Sequence, residues 1–147
     1  MFYFILILVL IGLDQGVKWL VVAHMMPYSS IEIWRFVHLT FVRNTGAAFG
    51  IFEGAKVFFI LFTIALIVAY IIFFCRRQGF ERYRLAASLM VGGAVGNCID
   101  RIFRGYVVDF IDLSYWPVFN IADIAVVCGT LLLAILILFG ERDRKHQ

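Results

Sequence analysis

The sequence predicts an all-α membrane protein, four transmembrane helices with a small β-rich platform lying on the outer membrane surface. Three observations lead there. Of 147 residues, 63% are hydrophobic and only 16% are charged, against roughly 25% charged in soluble domains. Four apolar runs are long enough to cross a hydrocarbon core, which needs about 20 helical residues. After the first run, "IEIWRFVHLTFVRN" is dense in β-branched and aromatic residues and reads as extended strands, and "NTG" then reads as a turn.

The spans fall at roughly residues 2–24, 56–75, 85–103 and 119–140, with outer loops 25–55 and 104–118, all within one membrane-embedded domain covering 1–147. The first span reads as an uncleaved helix although Val21-Val22-Ala23 resembles a cleavage site. No basic segment precedes it, and Asp14, Gln15 and Lys18 interrupt it. The short loop "RRQGFERYR" holds Arg76, Arg77, Arg82 and Arg84, and the tail adds Arg142, Arg144 and Lys145. Short loops rich in Lys and Arg stay in the cytoplasm, so this loop and both termini are expected inside. The formal charge of +3 comes without a basic stripe, which argues against nucleic acid. Cys75, Cys98 and Cys128 lie inside apolar runs and read as small packing residues rather than a disulfide framework.

On this topology the polar residues gather at one depth. Asp14 and Lys18 fall in the outer half of the first span, and Asn97, Asp100 and Arg101 at the outer end of the third. Asn120 and Asp123 open the fourth, while Asn44 and Asp109 belong to the outer loops. Ionisable residues at membrane depth mark a functional site by default. Asp14 and Lys18 are four residues apart and can pair on one helix face. Asp100 and Arg101 point in different directions, so each needs another partner. Cross-helix links to Asp14 and Lys18 would serve, and Arg101 is suited to donate to a substrate carbonyl. The Gly92-x-x-x-Gly96 spacing reads as close helix packing, and Asn97 as an amide where a peptide could dock. Trp34, Phe36, Tyr115 and Trp116 are suited to the headgroup level as aromatic anchors.

The stretch "GYVVDFIDLSYWPVFNIADIAV" carries three aspartates among apolar residues. Asn120 is a good N-cap with Asp123 at the third helical position, so a capping pair explains Asp123 taken alone. It does not explain Asp109. If a chain reversal brings Asp109 to the start of the fourth helix, two close carboxylates in an apolar site cannot both ionise easily. One then holds a proton while the other polarises water, as acid-base hydrolysis of a peptide bond requires. Asp112 competes for that place, because positions 109 and 112 of an extended segment point to opposite faces and spacing alone does not choose between them. A proton-coupled transporter would place its charges near mid-membrane with routes to both faces. No G-x-S-G or H-E-x-x-H element supports a serine or zinc protease.

Five stretches in order, "DQGVKW" (Asp14 to Trp19), "VRNTGAAFG" (Val42 to Gly50), "GGAVGNCIDR" (Gly92 to Arg101), "GYVVDFID" (Gly105 to Asp112) and "FNIAD" (Phe119 to Asp123), together resemble the bacterial lipoprotein signal peptidases, also called signal peptidase II. The resemblance spans nearly the whole chain. It implies a membrane aspartyl endopeptidase that removes signal peptides from prolipoproteins, cutting before the lipobox cysteine once that cysteine carries a diacylglyceryl group. Carried onto this sequence, the catalytic pair is Asp109 with Asp123, which leaves Asp112 outside. Asn44 and Arg101 fall at positions that contact peptide or inhibitor. Asn97 and Asn120 are further candidate substrate-binding amides within supporting motifs, and Asp14, Lys18 and Asp100 are support. The resemblance further implies no metal or other cofactor and inhibition by the cyclic peptide globomycin. With the topology, it implies a place in the bacterial cytoplasmic (inner) membrane with the site at the outer leaflet boundary, among membrane lipid. A monomer is expected.

Overall fold

The computed structural model describes residues 1–46, 56–75 and 81–144. Residues 47–50 of the second motif, Arg76, Arg77 and Lys145 lie outside them, as do the side chains of Cys75, Arg142 and Arg144. Helix α1 runs Phe2–His24, and its buried residues Ile7, Asp14, Lys18 and Val21 follow helical spacing along one stripe. The stripe is half ionic, so α1 brings charge as well as apolar surface to its neighbours. The chain turns extended at Met25, and Pro27, which offers no backbone N–H, keeps the helix from resuming.

Helix α2, Lys56–Cys75, is apolar almost all round and, among its described side chains, buries only Thr63, whose hydroxyl donates 2.8 Å back to the Phe59 carbonyl. Helix α3, Arg84–Phe103, is the opposite case. It buries Ala86, Ser88, Val91, Gly92, Gly93, Gly96, Asn97, Cys98 and Asp100, and α1, α2 and α4 all pack on it. Helix α4, Ile121–Arg144, closes the bundle. By length and composition α1, α2 and α4 are apolar enough to cross a membrane, over Phe2–His24, Lys56–Phe74 and Ile121–Phe139. The polar and glycine-rich α3 is their common partner. Large apolar side chains such as Phe4, Leu8, Phe62, Ile72, Leu131 and Leu138 remain exposed on the outer surfaces of these helices, the distribution of a protein solvated by lipid rather than water.

Glycines set how close α3 comes to its neighbours. A Cβ on Gly93 would lie 2.3 Å from the Ala122 carbonyl, and one on Gly96 would lie 2.8 Å from an Asp14 carboxylate oxygen and 3.2 Å from the Ala122 Cβ. Gly92 faces Leu10 of α1. The expected small-residue packing is present, with Gly93 an additional contact toward α4.

Strands β1 (Ser30–Trp34), β2 (Val37–Asn44) and β3 (Val107–Asp112) form an antiparallel sheet in the order β1-β2-β3. Gly105, at φ +82°, takes the left-handed conformation that ends α3 and turns the chain into β3. The segment expected to be extended is therefore a hairpin, and the second outer loop adds a third strand to it. A small apolar core of Val21, Met25, Phe41, Val108 and Phe110 binds the sheet to the end of α1.

Candidate active site

The site is built where β3 meets the start of α4. After β3 the chain reverses within a few residues. Phe119 pairs with Ile111, its carbonyl accepting from the Phe110 and Ile111 N–H groups at 3.0 and 2.8 Å. That pairing delivers the next residue, Asn120, to the side of Asp109. The helix then starts two residues later than the apolar run suggested, because Phe119 is spent on the sheet and Asn120 on the cap.

Asn120 is fully buried and touches both carboxylates. Its Nδ2 donates to Asp109 Oδ1 at 2.6 Å, and its backbone N–H donates to Asp123 Oδ2 at 3.2 Å. In return the Asp123 N–H donates to Asn120 Oδ1 at 2.9 Å, completing a reciprocal capping box. The cap anticipated for Asp123 and the chain reversal anticipated for Asp109 are thus one construction. Each carboxylate has a second amide donor. Asn44 Nδ2 reaches Asp109 Oδ2 at 2.8 Å, and Asn97 Nδ2 reaches Asp123 Oδ1 at 2.7 Å. The sheet register explains the first of these. Val42 lies opposite Asp109 and Asn44 opposite Val107, so Asn44 and Asp109 are diagonal neighbours on one face. Asn44 also accepts the Gly46 N–H at 2.9 Å, closing the expected Asn-Thr-Gly turn.

Burial, then the nearby charge of Asp123, pushes the Asp109 carboxyl up to about 7, against the opposing pull of the Asn44 and Asn120 hydrogen bonds. Asp112 has gone elsewhere. Its Oδ1 accepts from the Ser114 N–H and its Oδ2 from the Thr40 hydroxyl, both at 2.8 Å, and these bonds hold its carboxyl below the usual range.

Arg101 does not join Asp14 or Lys18. Its guanidinium stacks 4.3 Å over the Phe59 ring and donates to the Gly46 carbonyl at 3.2 Å, and its charge is felt by both Asp123 and Asp109. It therefore ties α3 to α2 and to the turn after β2, beside the carboxylates.

Beneath the pair lies a second polar cluster. Lys18, fully buried, donates to Asp14 at 2.8 Å, Asp100 at 3.1 Å and Asn97 Oδ1 at 2.9 Å. The Asp14–Lys18 pair and the cross-helix link from Asp100 match expectation. Asp14 also accepts the Ala122 N–H at 3.0 Å, satisfying a free donor in the first turn of α4. Asp100 accepts the Val108 N–H at 3.0 Å, which fixes β3 one residue before Asp109. Gln15 and Arg104 complete the cluster, Arg104 pairing with Asp100 and donating to Gln15 at 3.1 Å. Gln15 was noted from the sequence only as interrupting the first span and Arg104 not at all, although the four-residue step from Asp100 to Arg104 is the same signal that flagged Asp14 and Lys18. Among the described residues, no three His, Cys, Asp or Glu side chains converge as metal ligands.

Residues 6–139 match the signal peptidase (SPase) II family. The chain belongs to that family. It is 46% identical to the lipoprotein signal peptidase of Halothermothrix orenii over 97% of both chains, and 42% identical to that of Syntrophomonas wolfei over 95% of both. A solved bacterial membrane enzyme, determined by the in meso method at 2.3 Å resolution, superposes with a TM-score of 0.91 at 34% identity, over 99% of this chain and 92% of that one. A second, at 1.9 Å resolution, gives 0.83 at 35% identity over 92% of both. Family membership makes the chain a signal peptidase II protease, which removes signal peptides from prolipoproteins, and its fold that of a multi-pass membrane enzyme.

Proposed function

We propose that Asp109 and Asp123 are the catalytic dyad of an aspartyl endopeptidase acting on diacylglyceryl-modified prolipoproteins, cutting immediately before the lipidated lipobox cysteine. The observation that carries this is that one buried residue, Asn120, donates to both carboxyl groups while each also accepts from a neutral side-chain amide, Asn44 on Asp109 and Asn97 on Asp123. Held this way, the two can share one proton. The ionised member takes a proton from a water that attacks the scissile carbonyl, and the protonated member supplies one to the departing amine. The two then exchange roles for the next turnover. Asn97 and Asn120 orient the pair and border the peptide. Asn44, at the end of β2, and Arg101, reaching from α3 to the turn that follows, border the path of the substrate backbone. Asp14, Lys18 and Asp100 support the pair from below.

The same reading makes α3 a fourth transmembrane span in a single domain, with both termini cytoplasmic in the bacterial inner membrane and the dyad at the outer leaflet boundary. The exposed aromatic groups Trp34, Phe36 and Tyr115 support a sheet resting at the headgroup level. A lipid-bearing substrate reaches such a site sideways from the bilayer. The enzyme acts as a monomer, needs no metal, and is inhibited by globomycin.

The deciding measurement is processing of purified diacylglyceryl-modified prolipoprotein. Asp109→Asn and Asp123→Asn are each expected to lose processing by roughly 10²–10⁴-fold or more while thermal unfolding stays near wild type. Normal cleavage by either folded variant would remove the dyad assignment.

A further inference from the structure

A cavity of about 360 Å³ lies at the other end of the bundle from the paired carboxylates. It opens between α2, α3 and α4 and is lined by Tyr70 and Phe74, Arg84 and Ala87, and Leu133 and Ile137. Arg84 opens α3 and Arg101 sits near its end. At roughly 1.5 Å per residue that puts the cavity about 25 Å from the dyad along the helix, next to the opposite leaflet. It takes no part in the chemistry described above. Its volume is that of a ligand pocket, and its walls are aliphatic and aromatic side chains from three helices, with Ala87 leaving room on the α3 side.

The polar groups decide what such a hollow holds. The Tyr70 hydroxyl is tied to Ser88 at 3.1 Å, and Ser88 to the Arg84 carbonyl at 2.7 Å. Arg84 is not so settled. Its guanidinium stacks 5.1 Å over the Phe74 ring, and its Nε is buried with no hydrogen-bond partner among the described residues. A buried charged donor left unused is costly and calls for an acceptor. An apolar hollow rimmed by a guanidinium whose Nε lacks a partner matches a phospholipid in two respects, chain to wall and phosphate to arginine.

We infer that this hollow binds an anionic phospholipid of the leaflet opposite the dyad, one acyl chain lying between α2 and α4 and the phosphate on Arg84. The apolar segment of a signal peptide is the other occupant such walls would accept. Signal peptides carry a basic segment at that end, and Arg84 repels it. The positive charge that favours an anionic headgroup thus disfavours substrate.

Native mass spectrometry of the full-length protein released from nanodiscs of equal phosphatidylglycerol and phosphatidylcholine tests this. Wild type is expected to retain phosphatidylglycerol roughly fivefold over phosphatidylcholine, the ratio equivalent to the ~1 kcal/mol a basic side chain contributes at an anionic surface. Arg84→Gln is expected to lose the preference and Arg84→Lys to keep most of it. Ala87→Phe, which fills the hollow, is expected to reduce retention of both lipids. Equal retention of the two lipids by wild type overturns the inference, and that result depends on no variant folding. Displacement of the retained lipid by a synthetic signal-peptide segment also overturns it, assigning the hollow to substrate. Lipid retention is independent of turnover, so a failed dyad assignment leaves this result untouched.

Discussion

Four aspartates, three fully buried and Asp123 partly so, lie in two neighbouring groups, and their partners differ in kind. Asp14 and Asp100 meet cations, Lys18 between them and Arg104 on Asp100. Asp109 and Asp123 meet amides, from Asn44, Asn97 and Asn120. A carboxylate paired with a buried cation has its charge balanced by that partner and ties the elements together. One held by neutral amides is oriented just as firmly but can still take up a proton. Asn97 joins the groups, accepting from Lys18 at 2.9 Å and donating to Asp123 at 2.7 Å. The lysine fixes which way that amide faces, and its charge is also felt at Asp109 without touching it.

If the lower group is structural, breaking it should cost stability first. Lys18→Met leaves Asp14 and Asp100 without their shared cation, and removing one partner of a buried pair costs roughly 3–5 kcal/mol. Reversible unfolding in detergent should show a loss of that size, with any fall in processing tracking the folded fraction. A fully folded Lys18→Met protein with no activity would instead place the lysine in the chemistry. Asn120→Ala tests the upper group. Losing the cap should cost about 1 kcal/mol, within a range of roughly 0.5–2. The misplaced carboxyl groups should cost up to about 10²-fold in rate, so that activity falls much further than stability.

How much of this was legible in the sequence depends on the range of the interaction. The helices were, because apolar runs at α1, α2 and α4 carry their own boundary signals, and the α1 pair needed only a four-residue step. The polar residues later found in both groups were nearly all flagged, since charge is conspicuous in so apolar a chain. What could not be read was pairing across the sheet. Nothing local says that β3 adds to the β1-β2 hairpin, or that Val42 lies opposite Asp109, yet that register alone brings Asn44 to the dyad. Spacing likewise left Asp109 and Asp112 as alternatives. The structure separates them through Thr40, which is 72 residues from Asp112 in sequence and bonds to it.

The pH dependence sharpens the comparison. The Asp109 carboxyl is raised from its ordinary 3.8 to about 7, chiefly by burial and then by the charge of Asp123. A raised carboxyl favours the protonated fold, so its stabilising effect is complete below about 4 and is lost as pH rises through about 7. A dyad sharing one proton should lose activity over the same upper range, giving an alkaline limb near 7 in the rate profile. Asn44 donates to the ionised form and pulls the value down. Asn44→Ala should therefore move the limb to higher pH, besides lowering the rate. A limb that stays in place would show that Asp109 is not the group being titrated.

The smallest effect is expected at Asp112, the aspartate closest in sequence to the dyad but less buried than Asp109 and held low where Asp109 is raised. Its carboxyl is already ionised across the working range, held low by the Ser114 N–H and the Thr40 hydroxyl, so it has no proton to supply. An asparagine there keeps an oxygen for the Ser114 N–H. Its new amide can donate to the Thr40 oxygen, whose hydroxyl is free to turn toward Ser30, 2.8 Å away. Asp112→Asn should consequently keep wild-type processing and its pH profile, with stability changed by no more than about 0.5 kcal/mol. The same substitution at Asp109 or Asp123 keeps the shape, but it turns one accepting oxygen into a donor facing an N–H group and removes the exchangeable proton. Loss of processing in Asp112→Asn alongside activity in Asp109→Asn would reverse the assignment of the two positions.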